Sequence, residues 1–255
     1  MLIDTHTHLY SEQFAKDITE VIARAKENGV ERFYLPAIDQ SYTEKMLNLE
    51  AQYPNEMFAM MGLHPCSVHP NTLESEMAHV REWIDKRDFK AIGEIGIDLY
   101  WEKAYLKEQQ DAFKTQIEWA KEKNLPIVIH CRDAFNEVFE VLEEVKDDKL
   151  FGIFHCFSGT KEDAQRAIDF NLKLGIGGVV TFKNGKIDQF LADFDIKHIV
   201  LETDSPYLAP VPFRGKRNES SYLKYVSEKL VDIYHLTPNE IAEITTKNAL
   251  DIFER

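Results

Sequence analysis

Eight short apolar runs recur along the 255-residue chain, with longer segments of helical periodicity between them. The runs are Met1–His6, Arg32–Ile38, Met57–Leu63, Lys90–Ile97, Pro126–His130, Leu150–His155, Leu172–Val180 and Lys197–Glu202. Several are nearly continuous in branched or aromatic residues, as in Ile127-Val128-Ile129. Strands buried on both faces have that character. Between the runs, Asp17–Asn28 places Ile18, Val21, Ile22 and Ala25 on one face and stops at Asn28-Gly29. Leu106–Lys123 carries a stripe of Phe113, Ile117 and Ala120, and Phe135–Val145 and Glu162–Phe170 behave alike. Beyond Tyr222 two helical stretches flank Leu236-Thr237-Pro238, where Thr237 and Glu240 form a capping box with proline at the first helical position.

Strand and helix in alternation predict parallel strands joined by crossover helices. The expected fold is α/β, a (β/α)8 TIM-type barrel forming a single domain over residues 1–255. A doubly wound open sheet would place a G-x-G-x-x-G phosphate loop after its first strand. Here histidines follow the first run, and Gly175, Gly177 and Gly178 fall in the seventh, where they read as structural.

Composition removes several function classes. The formal net charge of -14 argues against a protein that coats duplex nucleic acid or an anionic membrane. No apolar run reaches the ~20 residues of a membrane helix, and the start of the chain has no basic or apolar leader, so the expected location is the cytoplasm. Cys66, Cys131 and Cys156 are an odd set without a Cys-x-x-Cys pair, which predicts free thiols.

Five of the runs contain or lead into residues of the types that bind metals. The first leads into His6-Thr7-His8, and in an extended chain both imidazoles face the same way. Glu94 is a carboxylate inside the apolar fourth run, Ala91-Ile92-Gly93-Glu94-Ile95-Gly96-Ile97-Asp98, and such a group is seldom buried without a partner. The fifth and sixth runs end in His130 and His155, equivalent positions on consecutive strands. Cys131 and Cys156, one residue on, are expected to face the other way. The eighth run is followed by Thr203-Asp204-Ser205-Pro206, which puts Asp204 just past the strand end, with Glu202 on the same side. In such barrels reactive groups gather at the C-terminal ends of the strands. Six ligand-type side chains there are more than one ion needs, and two divalent ions would use them all.

On these residues the chain resembles the TatD family of metal-dependent deoxyribonucleases, within the wider amidohydrolase-like barrel group. The marks of the resemblance run in order from Asp4-Thr5-His6-Thr7-His8 through Gly62-Leu63-His64-Pro65, Gly93-Glu94-Ile95-Gly96-Ile97-Asp98 and His130-Cys131-Arg132-Asp133-Ala134. They continue with His155-Cys156-Phe157-Ser158-Gly159, Glu202-Thr203-Asp204-Ser205-Pro206 and Pro212-Phe213-Arg214-Gly215-Lys216-Arg217-Asn218-Glu219. The resemblance implies one metal held by His6, His8 and Asp204, a second held by His130 and His155, and Glu94 shared between them. It implies that Asp204 orients the bridging water and takes its proton as general base. Two positions depart from the family pattern: Cys66 stands where relatives often have a second histidine, and Ser220 where they usually have proline.

Arg214, Lys216 and Arg217 form a basic group in an acidic chain, and read as a clamp for phosphate. Arg132 is a second substrate-binding candidate, and His64 either donates to substrate or orders its loop. The expected activity is a phosphodiesterase or deoxyribonuclease acting exonucleolytically on DNA ends or single strands, with a few nucleotides in contact and no duplex coating. The alternatives are a bimetal hydrolase of a carboxyl ester or C–N bond, such as an aminoacyl ester on RNA, and a non-catalytic binding protein. Mixed N/O ligands admit Zn, Mn, Co, Ni or Fe, with Mg as an assay metal. The expected oligomeric state is a monomer.

Overall fold

A computed structural model describes all residues, 1–255. Its strands are β1 (Leu2–Asp4), β2 (Val30–Leu35), β3 (Met57–Ala59), β4 (Ile92–Asp98), β5 (Ile127–Arg132), β6 (Gly152–Phe154), β7 (Leu172–Ile176) and β8 (Ile199–Leu201). All are parallel to their neighbours, in the orders β1-β2-β3 and β4-β5-β6-β7-β8. Two seams join these sheets. At one, Met61 bridges Ile92, with the Gly93 amide donating to Met61. At the other, the Thr5 amide and hydroxyl both donate to the Leu201 carbonyl at 3.0 Å, and Thr7 bridges Ser205. The result is the expected α/β TIM-type barrel.

The helices are α1 (Ile18–Glu27), α2 (Gln40–Gln52), α3 (Leu73–Lys86), α4 (Leu106–Lys123), α5 (Phe135–Val145), α6 (Lys161–Asp169), α7 (Leu223–Tyr234) and α8 (Pro238–Phe253). The α8 capping box forms as its sequence predicts, with the Thr237 hydroxyl accepting from the Glu240 amide and the Glu240 carboxylate accepting from Thr237. Two cores result. A large one fills the space between strands and helices. A small one contains Ile3, Tyr34, Met60, Ala91, Val128, Ile153 and Val200, one side chain from each of seven strand regions, together with Ile252 and Phe253 from α8. The Phe253 ring stacks on Tyr34 with centroids 3.7 Å apart. This is the barrel lumen, closed at its base by the last helix, which leaves the opposite end free for chemistry.

Two details differ from expectation. The seventh run is strand only to Ile176; Gly178–Thr181 is a 3-10 turn. No α-helix joins β7 to β8, and three short 3-10 turns over Ile187–Gln189, Leu191–Asp193 and Ile196–His198 take its place. The Asn184-Gly185 turn signal followed by Lys186 at φ 59 breaks any longer helical run there.

Candidate metal centre

His130, His155 and Asp204 reach the mouth because they lie at or beyond strand ends. β5 carries His130, β6 stops one residue before His155, and β8 stops three before Asp204. Glu94 reaches it by an irregularity. The β4–β5 register slips between Gly93 and Ile95. Ala91 belongs to the lumen while Ile92, Ile95 and Ile97 pack in the outer core, so the slip lets Glu94 face inward. β1 ends at Asp4, and alternation resumes beyond it. The Thr7 hydroxyl turns away to the Ser205 hydroxyl at 2.6 Å, while His6 and His8 meet at the mouth with ring centroids 5.2 Å apart.

Four imidazoles of this set surround Glu94, and Asp204 stands beside three of them. His6 Nε2 lies 3.1 Å and His8 Nε2 3.7 Å from Glu94 Oε2. His130 Nδ1 lies 2.7 Å and His155 Nε2 3.8 Å from Glu94 Oε1. Asp204 Oδ1 sits 3.5 Å from His8 Nε2 and 3.9 Å from both His6 Nε2 and His155 Nε2. The Glu94 side chain is 3% exposed, yet it stays charged: burial pushes its carboxyl up, and the surrounding imidazoles of His64, His6, His155 and His130 pull it well below the usual carboxylate range. Asp204 is likewise held low, burial being outweighed by His8, His155 and His6. His130 is pushed to about 9 and His155 to about 10, because nearby carboxylates outweigh the burial that would lower both.

Some partners were not foreseen from sequence. Tyr10 donates its hydroxyl proton to the Pro36 carbonyl, so toward His8 Nδ1, 2.8 Å away, it can only accept. That places a proton on His8 Nδ1 and turns Nε2 toward Glu94 and Asp204. Asp98 accepts from His130 Nε2 at 2.9 Å. Glu202 is fully buried; it accepts from the Cys156 amide at 2.7 Å, and His155 Nδ1 lies 2.9 Å from it without the alignment of a hydrogen bond. A Cβ at position 175 would collide with the Glu202 carboxylate, which accounts for Gly175. Asp4 ties the two ends of the barrel seam together, accepting from the Thr203 amide and hydroxyl and the Ser220 hydroxyl at 2.6–2.9 Å.

The expectation for Cys156 is overturned. Its thiol shares the mouth with His155 and Asp204, their ligand atoms lying within 4.8 Å of one another. Cys156 lies past the end of β6 with φ 45, a left-handed conformation in which strand alternation no longer holds. Cys131, still within β5, packs against the outer core as expected.

His64 joins the centre. Its Nδ1 accepts from the Cys66 amide at 3.0 Å, and its Nε2 lies 3.3 Å from both His130 Nδ1 and Glu94 Oε1. The basic group divides. Arg217 is committed to the fold, gripping Asp17 with both terminal nitrogens at 2.6 and 2.8 Å. Arg214 lies over the Phe182 ring at 3.6 Å, Lys216 lies 5.9 Å from that of Phe213, and Arg132 lies over Tyr100 at 3.7 Å; none of the three pairs with a carboxylate.

With the geometry in place, kinship adds to it. Residues 3–254 match the family model described as TatD related DNase. The chain belongs to the TatD-related DNase family. YabD of Bacillus subtilis, named an uncharacterized metal-dependent hydrolase, is 41% identical over 254 residues, 99% of each chain. The 3'-5' ssDNA/RNA exonuclease TatD of Salmonella typhimurium is 31% identical over 259 residues, again 99% of each chain. Among solved structures, the TatD homologue YjjV of Escherichia coli superposes with a TM-score of 0.92 at 26% identity, covering 100% of this chain and 98% of that one. No helix of the chain is long and apolar enough to cross a membrane.

Proposed function

We propose that this TatD-family protein is a divalent-metal-dependent phosphodiesterase that removes nucleotides from single-stranded ends. One observation carries the reading. His6 is completely buried, and neither of its ring nitrogens has a hydrogen-bond partner, although carboxylates stand on the Nε2 side. A buried imidazole left in this way is costly, and a cation among the same residues relieves the cost at Nε2. The donor set fits: His6, His8 and Asp204 form one group, His64, Glu94 and His130 a second, and His155 stands between, 3.8 Å from Glu94 and 3.9 Å from Asp204. In this reading His6, His8 and Asp204 hold one ion, His130 and His155 the other, and Glu94 serves both.

When bound, the metals lower the pKa of water and stabilise charge growing on phosphoryl oxygens. The chain supplies the rest. Asp204, ionised and 14% exposed at the mouth, is placed to take the proton of the attacking water at Oδ1. Tyr10 and Asp98 hold the rings of His8 and His130 in one orientation, and Glu202 packs beside that of His155. Arg132, Arg214 and Lys216 are uncommitted cations available to phosphate, which favours a phosphodiester over a neutral ester. The relative from Salmonella typhimurium whose name specifies single-stranded DNA and RNA supports the same substrate class.

The test is a substrate panel on metal-reconstituted protein: single-stranded DNA, RNA, a nitrophenyl phosphodiester and a carboxyl ester, with Asp204→Asn alongside. Turnover of phosphodiesters that Asp204→Asn loses is the expected result. Turnover of the carboxyl ester alone sinks the proposal, and full activity in Asp204→Asn removes Asp204 as the base.

A further inference from the structure

Two large rings stand in water at the C-terminal end of β4. Trp101 is 68% exposed and Tyr100 52%. Their rings meet edge to face with centroids 4.9 Å apart. The Arg132 guanidinium caps the pair, 3.7 Å from the Tyr100 centroid and 5.5 Å from that of Trp101. These groups are fixed to the metal centre. Asp98 Oδ1 accepts from the Tyr100 and Trp101 amides, each at 2.9 Å, while Oδ2 accepts from His130. The Leu99 amide donates to the Arg132 carbonyl at 2.9 Å and binds the two strand ends together. One carboxylate therefore positions both a candidate ligand and an exposed aromatic cluster.

We infer that Tyr100, Trp101 and Arg132 form a stacking platform for the unpaired nucleobase next to the scissile phosphodiester, an inference that rests on the function proposed above. Exposed aromatic faces with a guanidinium beside them suit a planar, electron-rich base, and the guanidinium also meets the adjoining phosphate. The overall charge supports this. At a formal net charge of -14, long-range attraction of a polyanion is unfavourable, so affinity has to come from short-range contacts that charge does not oppose. Stacking is such a contact, and it tolerates any sequence because every base has a π-face. It also selects single strands, since both faces of a base inside a duplex are already covered by its neighbours.

The test uses metal-loaded protein and a fluorescein-labelled phosphorothioate oligothymidylate that resists cleavage, read by anisotropy. The same strand with abasic terminal sites is the comparison. Wild type binds the base-bearing strand about tenfold more tightly, the scale of one stacked base. Trp101→Ala loses that preference and Trp101→Phe keeps most of it. Trp101 is exposed, so neither change threatens folding. Equal binding of the two strands by wild type, or an undiminished preference in Trp101→Ala, overturns the platform. Turnover of a nitrophenyl phosphodiester by wild type is scored separately. Its absence alongside a base preference removes the phosphodiesterase and leaves the platform; its presence without a preference does the reverse.

Discussion

Replacing Tyr10 with phenylalanine removes one oxygen atom and leaves the ring in place. That oxygen is the only side-chain partner of His8 Nδ1, and it donates in turn to the Pro36 carbonyl. Tyr10 is 7% exposed, so water does not readily replace it. Two hydrogen bonds disappear, each with a net contribution of roughly 0.5–1.5 kcal/mol. Folding stability of the metal-free protein should therefore fall by about 1–3 kcal/mol, and Tm drops about 2–4 °C per kcal/mol in a chain of this size. The diagnostic effect is on metal. Without its acceptor the His8 ring is free to turn and to move its Nδ1 proton, and Nε2 is no longer held toward Glu94 and Asp204. Loss of such a partner costs about 10–100-fold in metal affinity or activity. Competition against a chelator measures the affinity, and calorimetry in EDTA measures the stability. A lower Tm with unchanged metal affinity would refute the reasoning, because the hydroxyl would then serve the fold alone.

The cations at the rim should separate by role: Arg214→Ala and Lys216→Ala raise KM for a single-stranded oligonucleotide and reduce the salt slope by ~0.7 each. Arg217→Ala, whose partner is Asp17, instead lowers Tm by about 2–4 °C, for a loss of ~1 kcal/mol at a part-exposed pair. Acid stability should depend on Glu219, which burial would push up but which the Arg24 guanidinium at 2.7 and 2.9 Å holds below its ordinary value of 4.5. A carboxylate held low contributes stability above its unfolded pKa that is lost as pH falls through the folded value. Glu219→Gln is therefore less stable at neutral pH, and its melting temperature declines less steeply below pH 4.5 than that of wild type; Arg24 is 42% exposed, which limits the effect to ~1 kcal/mol. Phe253→Ala empties the base of the barrel beneath Tyr34 and should cost about 3–5 kcal/mol in denaturant unfolding, with no gain in stability on metal loading beyond that of wild type.

Strand order and the mouth of the barrel could be read from the chain because doubly buried strands leave long apolar runs, and a polar residue ending such a run stands out. α2 and α3 left weaker traces. α2 buries only Thr43, Met46 and Leu49, and α3 buries Glu76 among Val80 and Ile84, so neither has a clean apolar stripe. Period-two reasoning succeeded for His130, and failed at Cys156, where the backbone had left the strand. Glu94 faces inward through a slipped register that no sequence pattern announces. Tyr10, Asp98 and Glu202 were beyond reach for another reason. Their roles are defined by a partner across the fold: the Pro36 carbonyl, the His130 ring and the Cys156 amide. A buried carboxylate close in sequence to a ligand is nevertheless a signal, and both carry it: Glu202 two residues before Asp204, and Asp98 on the same strand as Glu94.

The central claim is that residues from four strand ends hold a pair of cations around Glu94 of β4. Anomalous diffraction from a crystal grown with manganese tests it directly. Two peaks are predicted, both in contact with Glu94, one bordered by His6, His8 and Asp204 and the other by His130 and His155. A single peak, or peaks that leave Glu94 untouched, would contradict it.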